Sequence, residues 1–288
     1  MKIGVSSYSF SQYIKAEKMT QFDCVARAHE MGFSGIEFTN LAGSCPEEQL
    51  ELAKKIAAEA ERVGIEIIAY TIGAELYKET EEESQAELER LYGQLEVARA
   101  LGAPLMRHDV CYKLGKSGNA RSFDLMLPTI AKNARTLTER AKELGIRTCT
   151  ENHGYIAQDS DRVERLFNAV AHDNYGLLVD VGNFICADEE PARAVSRVAP
   201  YAIHVHAKDF DVGETKENGR TNSTRGGNFW RATAIGDGCV PVEKCLRILK
   251  RAGYDGYVSV EYEGEEDCIE GIAKGLANLK SYIEKLEA

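Results

Sequence analysis

Ile146-Arg147-Thr148-Cys149-Thr150-Glu151-Asn152-His153-Gly154 reads as a short β-branched strand that delivers a carboxylate and an imidazole where it stops. Three later stretches finish in the same way: Leu177-Leu178-Val179-Asp180, Ile203-His204-Val205-His206 and Val258-Ser259-Val260-Glu261. If the four strands are parallel and adjacent, Glu151, Asp180, His206 and Glu261 meet at one mouth.

Outward from this stretch, strand and helix alternate along the whole chain. Residues 3–8 are strand-like, and apolar residues at helical spacing over 19–31 (Met19, Phe22, Val25, Ala26, Met31) stop at Gly32. Gly35-Ile36-Glu37-Phe38 is the second strand, and Pro46 with Glu47 and Glu48 opens a helix that ends at Gly64. Residues 65–70 form the third strand. A helix follows with Leu88, Leu91, Leu95, Ala98 and Leu101 on one face. A fourth strand over 104–109 ends in Arg107-His108-Asp109, and residues 123–144 carry an apolar stripe from Phe123 to Leu144. Beyond the anchor strand, Asp159-Ser160-Asp161 caps a helix, residues 191–198 make a short one, and residues 242–249 and 268–286 complete the set. Residues 210–238, rich in Gly, Asn, Thr and Arg, are the one long irregular segment, and a connection of that length reads as a functional lid or binding loop.

Eight strands alternating with eight helices at a period of about 30 residues specify a parallel sheet with right-handed crossovers. A doubly wound open sheet is the rival. The count of eight, and the lack of a G-x-G-x-x-G after the first strand, favour closure. The expected fold class is therefore α/β, a single (β/α)8 TIM barrel over residues 1–288, with its active site at the C-terminal ends of the strands.

Composition narrows the partners. A net charge of −11 over 288 residues, with no dense run of Lys and Arg, argues against nucleic acid. Eight cysteines without a C-x-x-C pair fit incidental thiols in a reducing cytoplasm. Residues 1–8 run straight into a strand pattern without an apolar signal region, and no apolar run reaches the roughly 18 residues of a membrane span. The expectation is a cytoplasmic protein without a membrane partner. Homo-oligomerisation stays open.

Any single acidic strand end is as readily explained by solvation, but four consecutive strands ending in metal-competent groups are not. Glu151, Asp180, His206 and Glu261 form an oxygen-rich donor set with one nitrogen, suited to one divalent ion, Mn2+ first, with Mg2+, Co2+ and Zn2+ as alternatives. Without a cation, three converging carboxylates should push one another's pKa upward. His153, two residues beyond Glu151, shares its face and is placed to transfer protons; Lys208, two beyond His206, is placed to neutralise an enolate. Arg107 and His108 are expected to bind substrate oxygens. His204 reads as a core histidine one layer beneath His206, and His29 and His172 as surface histidines on helices. Arg220, Arg225 and Arg231 in the long segment are candidate partners for a phosphate.

Taken together, Gly35-Ile36-Glu37, Glu151-Asn152-His153-Gly154, Asp180-Val181-Gly182-Asn183, His206-Ala207-Lys208-Asp209, Gly236-Asp237-Gly238 and Gly253-Tyr254-Asp255-Gly256 leading to Val260-Glu261-Tyr262-Glu263-Gly264 carry a resemblance. The chain resembles the sugar-phosphate isomerase/epimerase superfamily with the xylose-isomerase-like TIM barrel, which also contains ketose 3-epimerases, inosose dehydratase, 3-dehydroshikimate dehydratase and endonuclease IV. The resemblance implies that Glu151, Asp180, His206 and Glu261 bind one divalent cation and that Glu151 and Glu261 double as acid/base groups. It also draws Glu37 and Asn183 into a substrate-binding set with Arg107, His108 and Lys208. The implied activity is isomerisation or epimerisation of a small carbohydrate through an enediolate, by proton transfer α to a carbonyl. Two departures bear on this. The ketose 3-epimerases carry a histidine where this chain has Asn183, and a second glutamate where it has Ala157. The Glu151-x-His153 spacing resembles the dehydratase and lyase members, so β-elimination on a keto-sugar or keto-glycoside, with His153 as acid/base, is the alternative. Endonuclease IV needs more than the six histidines present. A barrel kept only as a binding module would lack a ligand, and this one lacks none.

Overall fold

The computed structural model describes residues 1–115 and 118–287. In chain order its strands are β1 Lys2–Ser6, β2 Gly35–Thr39, β3 Glu66–Ile72, β4 Leu105–His108, β5 Arg147–Glu151, β6 Tyr175–Asp180, β7 Ala202–Ala207, β8 Asp209–Gly213, β9 Asn222–Ser223, β10 Phe229–Thr233 and β11 Tyr257–Val260. Its helices are α1 Ser11–Lys15, α2 Asp23–Met31, α3 Pro46–Val63, α4 Glu81–Leu101, α5 Phe123–Glu143, α6 Ser160–Val170, α7 Pro191–Val198, α8 Val242–Arg251 and α9 Cys268–Glu287.

The helices form where the sequence places both an apolar stripe and its punctuation. On α8, Val242, Cys245, Leu246 and Leu249 are buried at i, i+3, i+4 and i+7, one face of a 3.6-residue repeat. Helix α6 starts at Asp159, whose carboxylate accepts from the Arg162 N–H, and α4 starts with a reciprocal capping box between Thr80 and Glu83. Gly64 and Gly102 end α3 and α4 at φ of 81° and 74°, a left-handed conformation that costs glycine nothing.

The parallel strands close in the order β1-β11-β7-β6-β5-β4-β3-β2, so the chain is a (β/α)8 TIM barrel. Within it, Ala69, Leu105, Cys149 and Leu178 make a separate apolar cluster. Strand side chains alternate, so these four lie one layer beneath Thr71, Arg107, Glu151 and Asp180 on the same face. An apolar floor thus carries a polar mouth. Register sets the heights: Asp180 lies level with His206, and His206 with Ser259.

The long segment is not the irregular lid expected of it. Strands β8, β10 and β9 form a three-stranded antiparallel sheet in that order, with the Phe210 and Trp230 rings 4.6 Å apart. The sheet is pinned to neighbouring loops: Arg225 Nη1 donates to Asp159 at 2.8 Å, Thr224 Oγ1 to Asp188 at 2.6 Å, and the Arg225 N–H to the Cys186 carbonyl at 2.8 Å. His172 also departs from expectation. It follows α6 rather than lying in a helix, and its Nδ1 accepts from the Asn174 N–H. No helix among the described residues is long and apolar enough to cross a membrane.

Candidate metal centre

Each of the four anchor side chains sits at the C-terminal end of its strand or just past it: Glu151 closes β5, Asp180 closes β6, His206 is the penultimate residue of β7, and Glu261 follows β11. Closure brings them together, with one ligand atom from each lying within 4.8 Å of the others. His206 Nδ1 stands 3.3 Å from Glu261 Oε2, 3.6 Å from Glu151 Oε1 and 3.9 Å from Asp180 Oδ2. A cation about 2.1 Å from its donors holds adjacent ones about 3.0 Å apart and opposite ones about 4.2 Å apart, and all three spacings lie within that range, so they suit a shared ion. His206 Nδ1 and Asp180 Oδ2 are buried and have no hydrogen-bond partner. Buried polar atoms are rarely left this way, and a cation would satisfy both. The residues present fit a divalent ion.

Their supports come from the same loops. Asp180 Oδ1 accepts from the backbone N–H groups of Gly182 (2.8 Å) and Asn183 (2.9 Å), which turns Oδ2 toward the others. Glu151 accepts from Asn183 Nδ2 at 3.0 Å and lies 2.6 Å from Arg107 Nη2. Glu261 is 2.6 Å from Lys208 Nζ, which also lies 3.4 Å from Asp180 and 3.3 Å from Glu263.

These cations change the expected electrostatics. Burial pushes the Asp180 carboxyl up to about 6, against the pull of Lys208 and with the help of Glu151 and Glu261. Burial would raise Glu151 and Glu261 too, but Arg107 and His206 outweigh it at the first, and Lys208 and His206 at the second, so both are lowered. Of the three carboxyls expected to rise, only Asp180 does, and chiefly through burial, because its cation, Lys208, stands 3.4 Å away whereas Arg107 and Lys208 lie 2.6 Å from Glu151 and Glu261. Burial disfavours the charged form of His206, yet Glu37, Glu261 and Glu151 together raise it well above the usual imidazole range.

A cavity of about 220 Å³ opens above this cluster, its lining including Glu151, His153, His206, Lys208, Glu261 and Arg107. Three residues expected to contact substrate are placed elsewhere. Glu37 is fully buried beneath the mouth, its Oε1 2.6 Å from His206 Nε2 and its Oε2 2.5 Å from His204 Nε2. It orients the imidazole instead of facing a ligand. His108 follows Arg107 on a strand, so it points out of the barrel when Arg107 points in; it is fully buried, with Nδ1 2.9 Å from the Asp109 carbonyl. Asn183 spends its amide on Glu151 and does not line the cavity. Arg220 and Arg231 pair with Asp211, and Arg225 with Asp159, and none lines the cavity.

Residues without an assigned role before also line it: Tyr8, Asp109, Tyr112 and Glu263. Asp109 Oδ1 is 2.9 Å from His153 Nδ1 and 2.7 Å from Arg107 Nη2, and its Oδ2 accepts from the Tyr112 hydroxyl. Glu263 is the one with a sequence signal, two residues beyond Glu261 and on the same side of the extended chain.

The solved structure of the IOLI protein with a zinc atom superposes with a TM-score of 0.77 at 16% identity, covering 99% of each chain. Among curated proteins, the rhizopine catabolism protein MocC of Rhizobium meliloti is 27% identical over 252 residues, 83% of this chain and 74% of that protein. Inosose dehydratase of Lacticaseibacillus casei is 26% identical over 140 residues, so the match spans 46% of each chain. The solved structure of L-ribulose 3-epimerase shares the fold, with a TM-score of 0.73 at 15% identity over 99% of this chain and 95% of that one. The model of the xylose isomerase-like TIM barrel family matches residues 25–282, nearly the whole barrel, and the chain belongs to that family.

Proposed function

We propose that this protein is a divalent-metal-dependent enzyme that removes the proton α to the ketone of a small, uncharged polyol or sugar, with loss of water as the outcome. The observation that carries the reading is the pair of buried atoms that make no hydrogen bond, His206 Nδ1 and Asp180 Oδ2, at the focus of four donors on the floor of the cavity. Glu151, Asp180, His206 and Glu261 would hold the ion, and three carboxylates with one imidazole favour Mn2+, Mg2+ or Co2+ over a thiolate-preferring site. Bound there, a divalent ion supplies Lewis acidity to adjacent carbonyl and hydroxyl oxygens of a substrate.

The remaining steps fall to side chains. Arg107 and Lys208 line the cavity but are each already bonded to carboxylates, which disfavours a phosphate and favours neutral hydroxyls. Glu151 and Glu261 are held in the weakly basic, ionised form by those cations, so they serve as ligands better than as bases. His153, on the rim with its side chain 41% exposed, is the free proton acceptor. The kinship with inosose dehydratases supports the same choice.

Epimerisation is the second reading. Its support is that Glu151 ends β5 and Glu261 directly follows β11, strands separated by β6 and β7, so that the two carboxylates flank a substrate from two sides. A panel of inososes and keto-sugars, incubated in D2O with the Mn2+-loaded protein, separates the two. Water loss gives an absorbing unsaturated ketone; deuterium incorporation without it indicates epimerisation. Neither product, or activity indifferent to EDTA, would overturn both.

A further inference from the structure

We propose that Asp109 is a positioning residue: it fixes the imidazole of His153 as the Nδ1–H tautomer and leaves Nε2 bare toward the cavity. The inference rests on the reading of His153 as the proton acceptor and deepens it.

Asp109 lies one residue past β4, and its side chain is 6% exposed. Oδ1 lies between His153 Nδ1 at 2.9 Å and Arg107 Nη2 at 2.7 Å, while Oδ2 takes the Tyr112 hydroxyl proton. Both oxygens thus face donors. An ionised carboxylate only accepts, and Arg107 keeps this one ionised, so the ring nitrogen opposite Oδ1 must carry the hydrogen. In a neutral ring the lone pair is then left on Nε2.

The backbone on the other side of the contact is fixed as well. His153 and Ala157 form a β-bridge across the turn, and Gly154 between them has φ 78°. The ring is therefore located from two directions, by its own loop and by a carboxylate on the neighbouring strand end. When a C–H bond α to the ketone breaks, its proton forms the Nε2–H bond and the electron pair stays on the substrate. The imidazolium charge that results lies against Asp109. Arg107 Nη2 also touches Glu151 Oε2 at 2.6 Å, so one guanidinium spaces this pair from the cluster of four donors.

The rival is that Asp109 merely neutralises Arg107, in which case His153 would be free to choose its tautomer. Protein labelled with ¹⁵N-histidine has six residues to resolve in a long-range ¹H–¹⁵N spectrum, recorded without paramagnetic metal at a pH where the ring is neutral. The His153 signals are those that vanish in His153→Gln. The expected wild-type pattern is protonated Nδ1 and unprotonated Nε2. Asp109→Ala should shift His153 to the Nε2–H form that a free imidazole prefers, with the His204 and His206 signals unmoved. A wild-type His153 in the Nε2–H form, or an Ala variant that leaves the tautomer as it was, would overturn the proposal. The wild-type spectrum decides even if the variant does not fold. Failure of the metal reading would instead appear as an absence of Mg2+- or Zn2+-induced shifts at His206, with the His153 tautomer intact.

Discussion

Replacing Glu37 by Gln isolates the buried support of the proposed metal ligand. The carboxylate serves two imidazoles at once, with Oε1 2.6 Å from His206 Nε2 and Oε2 2.5 Å from His204 Nε2, and Ser259 Oγ adds a contact to Oε2 at 3.2 Å. An amide has one oxygen and one NH2 in the same space, so one imidazole must face a donor. If that is His206, its ring can satisfy the amide only by moving its proton to Nδ1, the atom aimed at the carboxylate cluster, and Nδ1 then ceases to be a ligand. Loss of such a partner weakens metal binding about 10- to 100-fold, or about 1.4 to 2.7 kcal/mol. Calorimetric titration of Mn2+ into metal-free wild type and Glu37→Gln measures the difference, and circular dichroism checks that the barrel persists. A folded variant whose Kd lies within threefold of wild type while the amide NH2 faces His206 would refute the orienting role assigned to Glu37.

Three further outcomes are expected. Because His206 is raised well above the ordinary imidazole range, the metal-free protein holds a proton there at pH 7, and a cation must displace it. Mn2+ affinity should therefore rise with pH from pH 6 to 8, with proton release visible as a buffer-dependent binding enthalpy; affinity that is flat across this range contradicts it. Burial lowers His108 from 6.5 to about 4, so the folded state binds fewer protons than the unfolded one in that window, and stability must fall as pH drops through it. In urea titrations, His108→Gln should lose about 2.5 kcal/mol less than wild type between pH 7.5 and 4.5; equal losses would show that His108 is not buried in its neutral form. Arg225→Ala breaks a half-exposed tie between the small sheet and the β5–α6 loop, worth less than about 1 kcal/mol. Amide exchange should quicken in residues 222–228 without a change in Mn2+ affinity, whereas weakened metal binding would mean that the sheet shapes the site.

The barrel was legible because its signals are local. Each strand is a short β-branched or apolar run, each long helix carries its own stripe and stop, and the four donors stand at the same place in four consecutive strands. What escaped depends on the closed barrel. Glu37 reaches His204 across 167 residues of sequence, and nothing near Glu37 announces an imidazole. Asp109 meets His153 because two loops bend toward each other past the strand ends, one of them through a left-handed Gly154. Other misses were avoidable. His108 and Arg107 are neighbours on one strand and cannot both face the mouth, so alternation alone could have divided them. Asp209-Phe210-Asp211-Val212 alternates as a strand does, but the Gly and Asn around it made the whole segment read as a loop.

Charge balance ties the cation to the kind of substrate. Glu37, Asp109, Glu151, Asp180, Glu261 and Glu263 surround the mouth and the layer beneath it, against the two cations Arg107 and Lys208. With the imidazoles neutral, four negative charges remain unbalanced in a region where most of these groups are buried, which is costly unless protons or a cation join them. Protons can do so at His206, His153 or Asp180, all of which are raised, and a proton on His206 stays only while no metal needs Nδ1. A divalent ion offsets two charges in one step, and the net −11 of the chain raises its local concentration. The same field repels an anionic substrate. A phosphorylated ketone would bring about two more negative charges to a mouth whose lining cations are already bonded to carboxylates, so on the proposed reading the imbalance that would draw in a cation would also favour uncharged hydroxyls.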